Sequence, residues 1–105
     1  MAALLAGKSA VVTGGVTGIG RAIALAFLRN GASVTVNHLE DDQSQEHFAS
    51  LQREAPGRNQ LASVAGNITK PDVGRKIIEQ AKVHFNGVDV FVANAGVSQF
   101  RDFLT

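Results

Sequence analysis

The sequence predicts an α/β fold with a doubly wound parallel sheet, and three observations predict it. Short apolar runs rich in β-branched residues alternate with longer stretches whose apolar residues recur every three or four positions. A glycine-rich segment separates the first run from the first periodic stretch, where such folds turn from strand to helix. Asn-Gly and Pro-Gly pairs punctuate the rest.

The elements can be taken in chain order. Ser9-Ala10-Val11-Val12-Thr13 is a short apolar run ending on glycines, which suits a strand buried on both faces. Ile19, Ala22, Ile23, Ala26 and Phe27 then fall on one helical stripe, and Asn30-Gly31 supplies the stop. Ser33-Val34-Thr35-Val36-Asn37 is the second strand, laid parallel to the first by a right-handed crossover. Phe48, Leu51 and Ala55 mark the inner face of a second helix that Pro56-Gly57 ends, and Leu61 to Ala65 form the third strand. Pro71 opens a third helix whose apolar face is Val73, Ile77, Ile78, Ala81 and Phe85, with Asn86-Gly87 as its cap. The fourth strand runs from Val88 to Ala93.

Composition removes several function classes. Ten Lys plus Arg against nine Asp plus Glu leave a net charge of +1 in 105 residues, with no like-charge run to attract nucleic acid. Cysteine is absent, which excludes disulfides and thiolate chemistry and fits the cytoplasm. No stretch reaches the roughly 18 apolar residues of a membrane span, so no membrane partner is expected. His47 and His84 lack metal-ligand spacing and read as surface residues, so no metal site is expected.

The segment that carries function is Thr13-Gly14-Gly15-Val16-Thr17-Gly18-Ile19-Gly20. A helix N-terminus stabilises a pyrophosphate through free backbone N–H groups and the macrodipole, provided no side chain holds the phosphate away. Gly14 permits the sharp turn, Gly18 lets the backbone approach the phosphates, and Gly20 lets helix and strand pack closely. A plain strand-to-helix turn is the alternative. A second element, Asn94-Ala95-Gly96, directly follows the fourth strand.

The spacing T-G-x-x-x-G-I-G, together with N-A-G after strand four, resembles the short-chain dehydrogenase/reductase family. Within it, Gly14 to Arg21, Val36-Asn37-His38-Leu39 and Phe91 to Val97 look most like fungal sugar 1-dehydrogenases of the L-rhamnose type. The resemblance implies a single Rossmann-type NAD(P)-binding domain over residues 1–105 with strand order 3-2-1-4, truncated at the C-terminus relative to the family. It also implies that Asn94 braces the sheet while Ala95 and Gly96 line the cofactor ribose.

Cofactor choice is read at the end of strand two, where an acidic residue would accept from the ribose hydroxyls and repel a 2′-phosphate. His38 stands there. It admits a 2′-phosphate, so NADP is favoured, while Glu40 close by leaves NAD open. A solvated polar strand end is the alternative for His38. Where the family places an aspartate beside the adenine amino group, this sequence has Asn67 followed by Ile68, and the Asn67 side-chain oxygen is the expected acceptor.

The resemblance implies carbonyl/alcohol oxidoreduction by a serine and a Tyr-x-x-x-Lys pair, yet the sequence contains no tyrosine. Ser98, Lys70, Lys76 and Lys82 do not stand in that motif, so no catalytic residue is assigned and a small-molecule substrate is expected only of a full-length form. Strand four would be an exposed apolar edge, a route to self-association. A non-catalytic dinucleotide-binding or interaction module, pairing through that edge, is therefore the alternative function.

Overall fold

The computed structural model describes residues 4–94. Its elements are β1 (Ser9–Thr13), α1 (Gly18–Arg29), β2 (Ser33–His38), α2 (Asp42–Glu54), a single 3-10 turn (Arg58–Gln60), β3 (Leu61–Ala65), α3 (Pro71–Phe85) and β4 (Val90–Val92). The sheet is parallel throughout, as the sequence pattern predicts, and its order is β3-β2-β1-β4, as the family resemblance implies. Register runs Ser9 to Ser33 and Thr13 to Asn37 between β1 and β2, and Val34 to Leu61 and His38 to Ala65 between β2 and β3.

Alternation along the strands divides the core in two. Ala10, Val12, Val34 and Val36 point to one face, where α1 and α2 cover them with Ala24, Leu25, Leu28 and Leu51. Val11 and Val64 point to the other and meet Val73, Ile77 and Ala81 of α3. All five residues of β1 are buried, because both faces are roofed and both edges paired. Two hydroxyls inside this sheet, Ser9 Oγ and Thr35 Oγ1, are buried without a hydrogen-bond partner among the described residues.

Helix ends agree with the turn residues in the sequence. Asn30 caps α1 by donating its side-chain amide to the Ala26 carbonyl at 2.7 Å, and Gly31 turns out at φ +93°. Asn86 ends α3 in the left-handed region at φ +66°. Asp41 caps α2 by accepting from the Ser44 N–H at 2.7 Å.

Two expectations need correction. The buried face of α1 is Gly20, Ala24, Leu25 and Leu28 with Ile23 and Phe27 partly covered, whereas Ile19 is 74% exposed and Ala22 and Ala26 face outward. The helix is apolar nearly all round, so periodicity allows more than one stripe. Gly20 decides between them, because only the face bearing it can approach the sheet closely enough. The fourth strand is also shorter than Val88 to Ala93. At its start Asp89 accepts from the Ser9 N–H with its carboxylate and donates its own N–H to the Ser9 carbonyl, both at 2.8 Å, so a side chain takes up the amide that a regular ladder would pair with backbone. Beyond it Val90 and Phe91 are 39% and 46% exposed, the open edge the sequence implies.

Candidate functional site

The glycine segment lies at the carboxyl end of β1, between the sheet and the start of α1. Gly14 turns the chain at φ +63°, and the Gly15 N–H donates to the Asn37 carbonyl of β2 at 3.2 Å, which pins the turn to the sheet. The motif spacing alone gives Gly15 no role. A Cβ there would meet Val36 Cγ1 at 2.6 Å, so the turn closes over β2 only with glycine. Val16 is buried and anchors the loop in the core, and Thr13 at the strand end directs its hydroxyl to the Val92 carbonyl at 3.4 Å.

The start of α1 is an open helix end. Thr17 stands at the N-cap and makes no side-chain cap bond, and the first turn of α1 holds no acidic residue. The first amide hydrogens of a helix have no partner within it. Here neither a cap nor a carboxylate uses them or offsets the dipole, whereas α2 has Asp41 and Asp42, and α3 has Asp72. Gly18 adopts φ +56° with open space around the place a Cβ would take. Gly20 is the reverse case: a Cβ would collide with the Gly14 carbonyl oxygen and come to 2.7 Å of Asn94 Nδ2. An anion meets backbone N–H groups here with no side chain between. The cradle therefore fits a pyrophosphate.

Asn94 closes the turn from the far end of the chain by donating Nδ2 to the Gly14 carbonyl at 3.3 Å. Ala95 and Gly96 lie outside the described residues. Beside the cradle a shallow hollow is lined by Val16, Thr17, Gly18, Arg21, His47 and Ser50. Arg21 spans it, reaching Ser50 Oγ at 3.3 Å and Glu54 Oε1 at 3.0 Å, and so ties α1 to α2. His47 lines this surface hollow and is half-buried, and His84 is exposed, both at the surface as expected. A second hollow, between Gln52, Ala55 and Leu61, lies at the opposite end of the sheet.

His38 ends β2 next to the cradle. It is 7% exposed, stacked on Phe48 with ring centroids 5.4 Å apart, and its Nδ1 lies 2.7 Å from the Leu39 carbonyl. A solvated strand end is thus not what the structure shows. The buried Asn37 before it, a site residue that the motifs do not single out, donates to the carbonyls of Val64 at 3.2 Å and Gly66 at 2.9 Å. It holds the loop after β3 in place, and an asparagine inside an apolar strand is the signal that could have found it.

That loop carries Asn67 and Ile68. Ile68 packs against the α3 side of the core. The Asn67 side-chain oxygen already accepts from the Thr69 N–H at 2.9 Å and the Thr69 hydroxyl at 2.7 Å. The acceptor expected for adenine is therefore engaged in an Asx turn, which leaves the amide nitrogen as the group outside these bonds. Among the described residues no group of three His, Cys, Asp or Glu could hold a metal. No described helix is long and apolar enough to cross a membrane.

Parallel strands in this order, with a glycine turn feeding an uncapped helix at their carboxyl end, define a Rossmann-type α/β domain. The chain belongs to the short-chain dehydrogenase family, whose model matches residues 8–105. It is 48% identical over 105 residues to an L-rhamnose-1-dehydrogenase of Scheffersomyces stipitis, covering 99% of this chain and 41% of that protein. It is 39% identical over 102 residues to an L-rhamnose 1-dehydrogenase (NAD(P)(+)) of a Sphingomonas species, covering 96% and 39%. Among solved structures, L-sorbose reductase of Gluconobacter frateurii complexed with NADPH and L-sorbose superposes with a TM-score of 0.76 at 33% identity, over 91% of this chain and 36% of that one. The chain spans about two fifths of the length of these curated relatives.

Proposed function

We propose that the chain is the cofactor-binding portion of an NAD(P)-dependent oxidoreductase acting on the carbonyl/alcohol pair of a sugar. The observation that carries this reading is the cradle itself: left-handed Gly14 and Gly18, Gly20 pressed on the Gly14 carbonyl, and an uncapped α1. Residues 14–20 bind and orient the pyrophosphate, with Thr13 and Asn94 fixing the turn from behind. His38 reads the adenosine ribose, and the Asn67–Ile68 loop borders the adenine. When bound, the nicotinamide supplies or takes up the hydride. The sequence holds no tyrosine, so none of its residues takes the acid/base role that the family gives to one.

A sugar substrate is supported by the L-rhamnose dehydrogenases and the L-sorbose reductase among the chain's relatives. The lack of cysteine supports a cytoplasmic setting. A second reading, a non-catalytic dinucleotide-binding module that pairs through β4, is favoured by the exposure of Val90 and Phe91. Calorimetric titration with NADP and NAD tests the first reading: saturable binding supports it, and no heat at millimolar cofactor overturns it. Sedimentation at rising concentration tests the second, which a strictly monomeric chain overturns.

A further inference from the structure

The geometry of His38 points to a pH-dependent choice of cofactor: with Nδ1 locked, neutral Nε2 accepts from the ribose 2′-hydroxyl of NAD, and protonated Nε2 donates to the 2′-phosphate of NADP. We propose this as a property of the cofactor site described above, and it rests on that reading. A backbone carbonyl can only accept, so the 2.7 Å contact with the Leu39 oxygen requires the proton of His38 to be on Nδ1. The stack on Phe48, inclined at 25°, holds the ring plane. Nε2 is the remaining polar atom. Among the described residues it bonds to no protein atom, and it is not one of the sealed, unpaired side-chain atoms, which are Ser9 Oγ and Thr35 Oγ1, so it is the atom of this largely buried ring left for a ligand.

Its position is fixed from three sides. The Gly15–Asn37 bond holds the end of β2 beside the phosphate cradle, the Gly66 N–H donates to the His38 carbonyl at 2.8 Å, and β3 sets Ala65 opposite. Phe48, which stacks on the ring, and Ala65 and Gly66, which meet the His38 backbone, carry no charge, and the Arg21 guanidinium of α1 is engaged by Glu54. The charge coupled to the ring is the Asp41 carboxylate at the cap of α2, and exposed Glu40 stands between the two in the chain. A ring fixed in this way therefore presents an acceptor when neutral and a charge-assisted donor when protonated.

The test is calorimetric titration of the chain with NADP and with NAD at fixed ionic strength across about pH 5.5 to 8.5, the range in which histidine changes charge. The affinity ratio of NADP to NAD is expected to rise about tenfold as the pH falls, the scale of one hydrogen bond to a charged group. The 2′-phosphate takes up its own second proton near pH 6, which acts in the opposite sense. His38→Asn, which keeps a polar side chain that cannot titrate, should abolish the rise. Phe48→Leu, which frees the ring while keeping apolar contact, should shrink it, whereas a merely structural Phe48 would weaken both cofactors alike. A ratio independent of pH in the unaltered chain, or a rise that persists in His38→Asn, overturns this inference alone. Binding of neither cofactor overturns the proposed function and this inference with it.

Discussion

The Asn94 side chain donates to the Gly14 carbonyl oxygen across 3.3 Å and 80 residues of sequence. The same carbonyl is the atom that a side chain on Gly20 would strike. One oxygen therefore joins the end of β4, the turn after β1 and the start of α1. Holding it still orients the free amides of the helix end.

Asn94→Asp tests this junction. The replacement sets a carboxylate against a carbonyl, two acceptors facing each other, where a donor stood before. Losing the bond costs about 1 kcal/mol, and the unmatched acceptors add to it. Cofactor affinity should fall more than tenfold by calorimetry, with Asn94→Ala intermediate. Unchanged affinity in Asn94→Asp would mean that the turn keeps its shape without the bond.

Gly20 and Gly18 separate folding from binding. Gly20→Ala forces a Cβ onto backbone that cannot yield without moving α1 off the sheet, and overpacking of this kind costs about 1–3 kcal/mol. Its denaturation midpoint should drop together with cofactor binding. In Gly18→Ala the new methyl meets no atom within 4 Å, and the cost is the left-handed φ of +56°, about 1–2 kcal/mol. Space that is empty in the protein is where a phosphate would approach, so this variant should lose more in affinity than in stability. Equal losses in both measurements would remove Gly18 from the cradle.

Much of the fold is legible in the sequence because local chemistry and tertiary structure agree. The Leu61–Ala65 strand and the Pro71–Phe85 helix fall where their patterns place them, since each has one apolar face and a turn residue at its end. The face of α1 is not legible. Its apolar residues surround the axis, and the choice among stripes is made by a collision between Gly20 and a carbonyl supplied by another segment. The engagement of the Asn67 oxygen is hidden for a related reason: its partner, Thr69, is two residues away, and nothing in composition distinguishes an asparagine facing a ligand from one closing its own loop. The burial of His38 depends on Phe48, which periodicity places correctly without showing that the two rings meet.

Asp41 gives a pH prediction with a defined sign. Its carboxyl is held below the ordinary carboxylate range, first by the bond from the Ser44 N–H and then by the Ser44 hydroxyl. A group with a depressed value in the folded state contributes stability above its unfolded value, near pH 4, and loses it as the pH falls through the folded value. Asp41→Asn keeps a good N-cap without a titrating group. Melting temperatures of the two proteins should therefore converge as the pH drops from about 5 to about 2. Because Asp41 is exposed, the difference should also shrink in high salt. A constant gap across that range would show that the cap bond does not depend on the charge.

Thr35 offers a change that should strengthen the fold. Its side chain is fully buried in β2 and its hydroxyl has no partner among the described residues, so the desolvation of that oxygen is not recovered. Register places it beside Val11, on the face that α3 covers with Val73, Ile77 and Ala81. Valine has nearly the same shape and no polar atom, and it suits the twisted parallel strand equally well. Thr35→Val should raise the free energy of unfolding by about 1 kcal/mol in chemical denaturation, the lower end of the penalty for an unmet buried hydroxyl. The denaturant slope should not change, since no additional surface is buried. Cofactor affinity should also hold, because β2 meets the site through its last three residues, Val36, Asn37 and His38, and Thr35 precedes them. A loss of stability in this variant would mean that the Thr35 hydroxyl is hydrogen-bonded in solution, by a water or by a residue beyond those described.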